Sequence, residues 1–331
     1  PEIKTRKREL CAPYNQLAVS KKMRTNPIDD ILPLKRDEYL IKIQNHCSEL
    51  VAEIVNFGTH ILKWDVEVKR EGKDNNIPTL FFRNILELSD SISILIKESS
   101  IDPSKIILRT LLENILQLIY MLEEKERQRV LSYMVTKTNK EIKYYNKFIK
   151  SESSSSQFKI QIEKDELNLN FDKFMDHPEI IRTKESKKRL LEKPEFSEVQ
   201  KEYLRTSKKR KNPNWYSLYN GPDNLEQLAQ RLKKNISYEF FYRKYSENVH
   251  GLNLTKGMVY VGSDSAQIIQ IRDFEHTQNV TFNSASLLLE IYNIFIRKRV
   301  PEKLDEYQKW YLTIRNDYLD LNKRNYINYK K

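Results

Sequence analysis

Glycine is scarce in this chain, with six residues among 331. Because glycine supplies the positive φ angles of many tight turns, its scarcity argues against an architecture of numerous short strands. Lysine, glutamate, leucine and isoleucine are abundant instead, and these residues favour helices. The composition therefore predicts a mostly α fold, built as a central helical bundle.

Cysteine and long apolar runs are also lacking. Two cysteines, Cys11 and Cys47, are too few for a disulfide framework or a four-cysteine zinc site. No apolar run reaches the roughly 18–20 residues that span a bilayer, and no signal-peptide pattern opens the chain. We therefore expect a cytoplasmic protein that does not bind membranes.

Familiar catalytic motifs are missing from the sequence as well. It contains no glycine-rich phosphate loop, no His-Glu-x-x-His zinc motif and no Gly-x-Ser-x-Gly elbow. The five histidines do not occur at metal-ligand spacings. The sequence consequently predicts neither a metal site nor a cofactor.

Positive charge is plentiful and concentrated in three segments. The net charge is +12, with a net +5 over residues 1–36, +7 over 182–211 and +5 over 297–331. Such clustering is typical of a surface that binds nucleic acid, although solvated basic helices give the same pattern. The candidate nucleic-acid-binding residues are Lys187, Lys188, Arg189, Lys208, Lys209, Arg210 and Lys211.

Charge and periodicity together suggest how the chain is organised. We expect a basic N-terminal arm over residues 1–36, a helical bundle domain over 37–298, and a C-terminal helix with a basic tail over 299–331. A serine-rich connector opens a flexible, charged insertion over 151–211. Alternating apolar residues predict a β-hairpin after residue 257 and favour a second short hairpin near 158–169.

One predicted helix, from about 101 to 126, is apolar nearly all round and should be buried. Arg109 and Glu113 lie on it four residues apart, so we expect them to pair with each other. On a buried helix these charges are costly unless they are paired or serve a site. They are therefore either a tie between helices or part of a functional site.

The sharpest chemical pattern is Arg243 and His250 on a later helix, predicted over 236–250 and ended by Gly251. Seven residues are almost two helical turns, so both side chains should share one face. Imidazole can act as a general acid or base on RNA, and a guanidinium can hold the phosphate. The opposite face, with Phe240, Phe241, Tyr245 and Val249, is expected to dock into a core.

Three groups of residues resemble the bacterial domain of unknown function 5677 over about residues 80–298. They are Leu108-Arg109-Thr110-Leu111-Leu112-Glu113; Asn214-Trp215-Tyr216 with Gly221-Pro222 and Leu228-Ala229; and Tyr242-Arg243-x-Tyr245-Ser246-x3-His250. That family is similar to HEPN-type helical proteins. Many of those are metal-independent RNases of toxin and anti-phage systems that use an R-x4–6-H helix and often dimerise.

The resemblance implies a function and a set of site residues. Arg243 and His250 would be the catalytic pair of an RNase, with Arg109, Glu113, Tyr245 and Ser246 as supporting polar residues. RNA is the expected partner. A second copy of the chain in a homodimer and a regulatory protein are further expected partners. Lys244 stands where the commoner HEPN pattern has a small polar residue, so a non-catalytic module that binds nucleotides or nucleic acid is the alternative.

Overall fold

The computed structural model describes residues 27–33, 37–70, 76–165, 171–250, 254–261 and 265–323. For residues 259–261, 265, 266 and 322 it describes the backbone alone. Most of the predicted basic arm and of the C-terminal tail lies outside the described residues. The boundaries expected at residues 36 and 298 stay a prediction.

The described chain is mostly α-helical, as the composition predicts. Its α-helices are α1 Glu38–Glu67, α2 Ile77–Lys97, α3 Ile101–Glu123, α4 Glu126–Tyr145, α5 Ser153–Lys164, α6 Pro178–Leu191, α7 Pro194–Lys209, α8 Leu225–Arg231, α9 Asn235–Ser237, α10 Lys244–Val249, α11 Thr277–Arg299 and α12 Leu304–Lys323. A π-helical segment, Tyr238–Arg243, joins α9 to α10. None of the described helices combines the length and hydrophobicity that a membrane crossing requires.

The predicted hairpin after the His250 helix is confirmed. Strands β1 (Met258–Val261) and β2 (Ser265–Ile268) pair antiparallel, with Met258 opposite Ile268. The second hairpin expected near 158–169 is wrong where the structure describes it, because Ser153–Lys164 forms α5. The serine run predicted as a connector starts this helix, and Ser155 is buried.

The described residues form two compact units. The first takes its residues from 27–69, 83–112 and 240–323, and the second from 70–82 and 113–239. Helices α2 and α3 each contribute to both units.

The first unit packs α11 against α1 and α12. Tyr292 of α11 donates from its hydroxyl to the carbonyl of Ile54 on α1, at 2.9 Å. Near the ends of the same two helices, Arg299 and Asp65 form a salt bridge whose side chains are 3% and 0% exposed. Two hydrogen bonds join them, Nε to Oδ1 at 3.0 Å and Nη2 to Oδ2 at 3.3 Å. A bidentate geometry of this kind offsets the desolvation that burial imposes on both charges.

The second unit packs α6, α7 and the loop after α7 around α4. A core of Val135, Phe196, Val199, Tyr203 and Leu218 holds these elements together. Helices α6 and α7 occupy most of the charged stretch 182–211, and α7 begins at Pro194. The side chains that α7 contributes to this core are buried, whereas Leu190 and Leu191 of α6 pack against it partly buried.

A 3₁₀ turn over Trp215–Asn220 follows α7 and bends sharply. Tyr219 and Asn220 both have positive φ angles, of 56° and 59°. A Cβ at Gly221 would lie 2.0 Å from the carbonyl oxygen of Tyr216, so this close approach requires glycine. The turn fixes the Asn214-Trp215-Tyr216 group in the second unit.

Candidate functional site

The helix that carries Arg243 and His250 is continuous but not uniform. It begins as α9, widens to the π-helical segment, and narrows again to α10. A π turn shifts the angular position of the residues before it relative to those after it, and such turns occur often at functional sites. Arg243 ends the π segment, whereas His250 caps α10 and donates its backbone N–H to the carbonyl of Ser246 at 3.1 Å.

The structure places both predicted catalytic side chains on the protein surface. Arg243 and His250 are exposed, and α-helical geometry relates them across α10. At about 1.5 Å rise per residue, their backbones are roughly 10 Å apart along the helix axis. One bound phosphate can contact both groups only when the long Arg243 side chain extends along the helix towards His250.

Arg109 is held by the same helix rather than by its expected partner. Its Nε donates to Ser246 Oγ at 2.9 Å, and its guanidinium carbon lies 4.0 Å from the centre of the Tyr242 ring. Ser246 Oγ in turn donates to the carbonyl of Tyr242 at 2.5 Å. Tyr242 and Ser246 therefore form a cradle for the Arg109 guanidinium, one turn before His250.

The Arg109 cradle corrects the expectation that Arg109 pairs with Glu113. A hydrogen bond to a cation and a cation–π contact each stabilise the charge in a half-buried place. The cradle supports Arg109 and Ser246 as residues that position the helix. Tyr242 was missed as a member, although its spacing of four residues from Ser246 is a usable signal.

The apolar face predicted for this helix is only partly correct. Phe240 is 56% exposed and Val249 is 42% exposed, whereas Phe241 and Tyr245 are half-buried. The widened turn moves Phe240 off the line that an ideal α-helix would give it. Tyr245 stays on the packed side, where burial raises the pKa of its hydroxyl and a hydrogen bond to Asn283 opposes that shift.

The seven basic residues proposed for nucleic-acid binding differ in their surroundings. Lys187 pairs with Glu141, Lys188 with Glu185 at 3.1 Å, and Arg210 with Asp223. The other four are exposed in α6, in α7 and just after it: Arg189, Lys208, Lys209 and Lys211. These four are the better candidates, because their charge is not already offset by an ion pair among the described residues.

Glu113 belongs to a different place, a pocket of about 470 Å³ in the second unit. Asn214, Trp215 and Tyr216 line the same pocket. Two of the three groups that carry the family resemblance therefore meet at one cavity. Sequence reasoning singled out Glu113 but had no way to connect it to residues a hundred positions later.

Glu202 is a further residue that the sequence did not reveal. Its carboxylate accepts hydrogen bonds from Arg205, from the backbone N–H of Tyr219 at 2.7 Å and from Thr206 at 3.1 Å. The bond from Arg205 is the main cause that lowers the pKa of Glu202 to about 2. Glu202 thereby fixes the turn that carries the aromatic residues of the pocket.

These features define the class of the molecule: a mostly α protein with an exposed Arg–His pair on one helix and an aromatic pocket in its second unit. The chain belongs to the family of unknown function DUF5677, which matches residues 75–268, more than half of its length. This finding confirms the family predicted from the motifs, while the HEPN-like relationship stays a prediction. No curated protein and no solved structure matches the chain.

Proposed function

We propose that this protein is a metal-independent endoribonuclease of the HEPN-like type, acting as a toxin or an anti-phage defence component. His250 is the general acid or base, and Arg243 holds the scissile phosphate. The observation that carries the proposal is the exposure of both side chains at the two ends of α10. A surface helix can present both groups to one RNA phosphodiester.

The proposed chemistry needs no metal ion. Imidazole takes the proton of a ribose 2′-hydroxyl, and the 2′-oxygen forms a bond to phosphorus. The bond from phosphorus to the 5′-oxygen breaks, and that oxygen takes a proton from water. The hydroxide left behind takes the proton from the imidazolium, which restores neutral His250. The products are a 2′,3′-cyclic phosphate and a 5′-hydroxyl. The guanidinium of Arg243 opposes the negative charge that builds on the phosphate oxygens.

Arg109 and Ser246 serve this site as positioning residues. Their hydrogen bond fixes the last turns of the helix, and with them the direction in which His250 leaves the backbone. Because catalysis depends strongly on the placement of the acid–base group, a loosened helix should lower the rate without changing the chemistry.

The test is cleavage of an RNA pool by the purified protein in EDTA. We expect His250→Ala to reduce cleavage at least about 100-fold, the usual lower range for loss of a general acid or base. Arg243→Ala should reduce it as well. His60→Ala is the matched control, because His60 is an exposed histidine on α1, and it should cleave as the wild type does. Circular dichroism checks that each variant keeps its helices.

Two results would count against the enzyme. If the His250→Ala protein cleaves RNA as fast as the wild type, His250 has no catalytic role. If the wild type binds RNA in a salt-dependent manner but never cleaves it, the protein is a non-catalytic binding module. The exposed Lys208, Lys209 and Lys211 favour that second candidate function, since exposed lysines attract phosphate without any chemistry.

A further inference from the structure

None of the residues that line the pocket in the second unit belongs to the helix that carries Arg243 and His250. Helix α4 supplies one wall, and the 3₁₀ turn and the end of α3 supply others. At about 470 Å³ it lies within the size range of small-molecule sites. The side chains that line the pocket determine which molecule would fit.

Aromatic rings form the inner part of the pocket. Trp215 is 6% exposed, and its Nε1 donates to Gln117 Oε1 at 2.8 Å. Tyr133 and Tyr216 each meet the Trp215 ring edge-on, with ring centres 6.1 Å and 5.7 Å away, and Tyr120 lies tilted against the same ring at 5.7 Å. Because every member is fixed by a neighbour, the pocket presents a preformed surface on which a flat ring can stack.

Thr136 provides the observation that points to a ligand. It lines the pocket, is 2% exposed, and its buried hydroxyl has no hydrogen-bond partner among the described residues. A buried hydroxyl without a partner costs free energy, so native structures rarely retain one without a reason. A bound molecule that hydrogen-bonds Thr136 would remove that cost.

Charged groups limit the kind of ligand. Glu113 offers carboxylate oxygens that only accept hydrogen bonds, so it prefers a ring with N–H donors. Lys137 and Lys140 are exposed and also line the pocket. Glu141, the other acidic residue of the lining, is already paired with Lys187. The opening of the pocket is therefore suited to an anionic group.

We infer that this pocket binds a nucleoside phosphate through a stacked base, with guanine the best match. The base stacks against the aromatic rings that line the pocket, its adjacent ring N–H and amino groups donate to Glu113, and the phosphate lies between Lys137 and Lys140. Thr136 bonds a polar edge of the base or the sugar. A nucleoside phosphate would be the ligand of the protein as a non-catalytic binding module, and its binding does not depend on catalysis by His250.

Isothermal titration with 5′-GMP, 5′-IMP and 5′-AMP tests the ligand class. GMP should bind more tightly than IMP, which lacks the 2-amino group, and AMP should bind more weakly than GMP. A short RNA with a 5′-phosphorylated guanosine forms a second arm, since the same ring and phosphate could be the end of a strand. Binding of that RNA without GMP binding assigns the pocket to RNA ends, whereas binding of neither probe at millimolar concentration overturns the inference.

Variants of the pocket give the sharper test. Thr136→Val should weaken GMP binding about three- to tenfold while the Tm of the free protein stays the same or rises, because an unpaired hydroxyl is removed. Thr136→Ser keeps the hydroxyl and should retain most of the affinity. A purely structural role for Thr136 predicts the reverse, a lower Tm with unchanged binding.

Glu113→Gln should weaken GMP binding about tenfold or more and reduce the preference for GMP over IMP. Glu124→Gln, an exposed change shortly after α3, is the matched control and should bind GMP as the wild type does. Wild-type affinity in both the Thr136→Val and the Glu113→Gln proteins would overturn the site. The His250→Ala protein should bind GMP normally, so failure of the RNase proposal is distinguishable from failure of this one.

Discussion

At the scale of single residues, the carboxylate of Glu202 joins α7 to the turn that follows it, because it accepts hydrogen bonds from Arg205, Thr206 and Tyr219. It satisfies the backbone N–H of Tyr219, whose φ of 56° places it in the left-handed region. The backbone of a residue other than glycine is strained in that region, and the hydrogen bond helps to hold Tyr219 there. Glu202 is thus a structural residue that supports the pocket from outside.

The lowered pKa of Glu202 predicts a pH dependence of stability. Its pKa is about 2 in the folded chain against an ordinary 4.5, so its contribution is complete above about pH 4.5 and is lost as the pH falls towards 2. In urea unfolding, Glu202→Gln should lower the free energy of unfolding by about 1–3 kcal/mol at pH 7. The gap to the wild type should shrink between pH 4.5 and 3.

The control for this prediction is Glu163→Gln, an exposed change on α5. That variant should follow the wild type at every pH within about 0.5 kcal/mol. A gap between Glu202→Gln and the wild type that stays constant from pH 7 to 3 would mean that the charge of Glu202 does not stabilise the fold.

Single residues are also where sequence reasoning reached its limit. The pattern identified Arg109 as a costly charge on an apolar helix, but it could not show that Ser246 and Tyr242 receive it. The sequence did not indicate Thr136, because a threonine in a helix cannot be recognised as a site residue until its surroundings are known. Partners separated by more than a hundred residues are set by packing, and the sequence of either segment does not encode them alone.

At the scale of elements, the sequence predicts helices better than it predicts their details. The apolar pattern predicted a helix from about 101 to 126, and α3 covers Ile101–Glu123. Asn224 caps α8 by accepting a hydrogen bond from the backbone N–H of Gln227, as its residue type suggests. The π-helical segment and α5 were missed. A π turn has no composition of its own, and Phe158, Ile160 and Ile162 alternate in a way that fits a strand as well as a helix.

The close packing of α1 against α11 predicts that a larger residue at Gly58 destabilises the protein. A Cβ at this position would lie 2.2 Å from the Tyr292 hydroxyl and 2.4 Å from Leu86 Cδ2. Gly58→Ala should therefore destabilise the protein by about 1–3 kcal/mol, although alanine favours a helix by about 1 kcal/mol. Thermal unfolding measures the change.

A double variant separates the clash at Gly58 from a general loss of packing. Tyr292→Phe removes the hydroxyl nearest the new methyl group, at the cost of its hydrogen bond to Ile54. Gly58→Ala with Tyr292→Phe should then be less destabilised than the sum of the two single changes. Strict additivity would show that the methyl group clashes elsewhere.

At the scale of the whole molecule, the positive charge is the property that most affects a nucleic-acid partner. The net charge is +12, but part of it is already offset locally, since Lys187, Lys188 and Arg210 each contact an acidic side chain. Lys208, Lys209 and Lys211 are exposed at and after the end of α7. The sequence predicted a basic segment, and the structure divides that segment into paired and available charges.

Two triple variants with equal changes in net charge distinguish specific contacts from overall charge. Replacing Lys208, Lys209 and Lys211 with glutamine should weaken single-stranded RNA binding and reduce the slope of log K against log salt by about 2. The same replacement of Lys187, Lys188 and Arg210 should change that slope by less than about 1, because those charges contact carboxylates. Fluorescence anisotropy at several salt concentrations provides both slopes. Equal slopes for the two variants would mean that RNA responds only to net charge, and an unchanged slope in both would remove α6 and α7 from the RNA-binding surface.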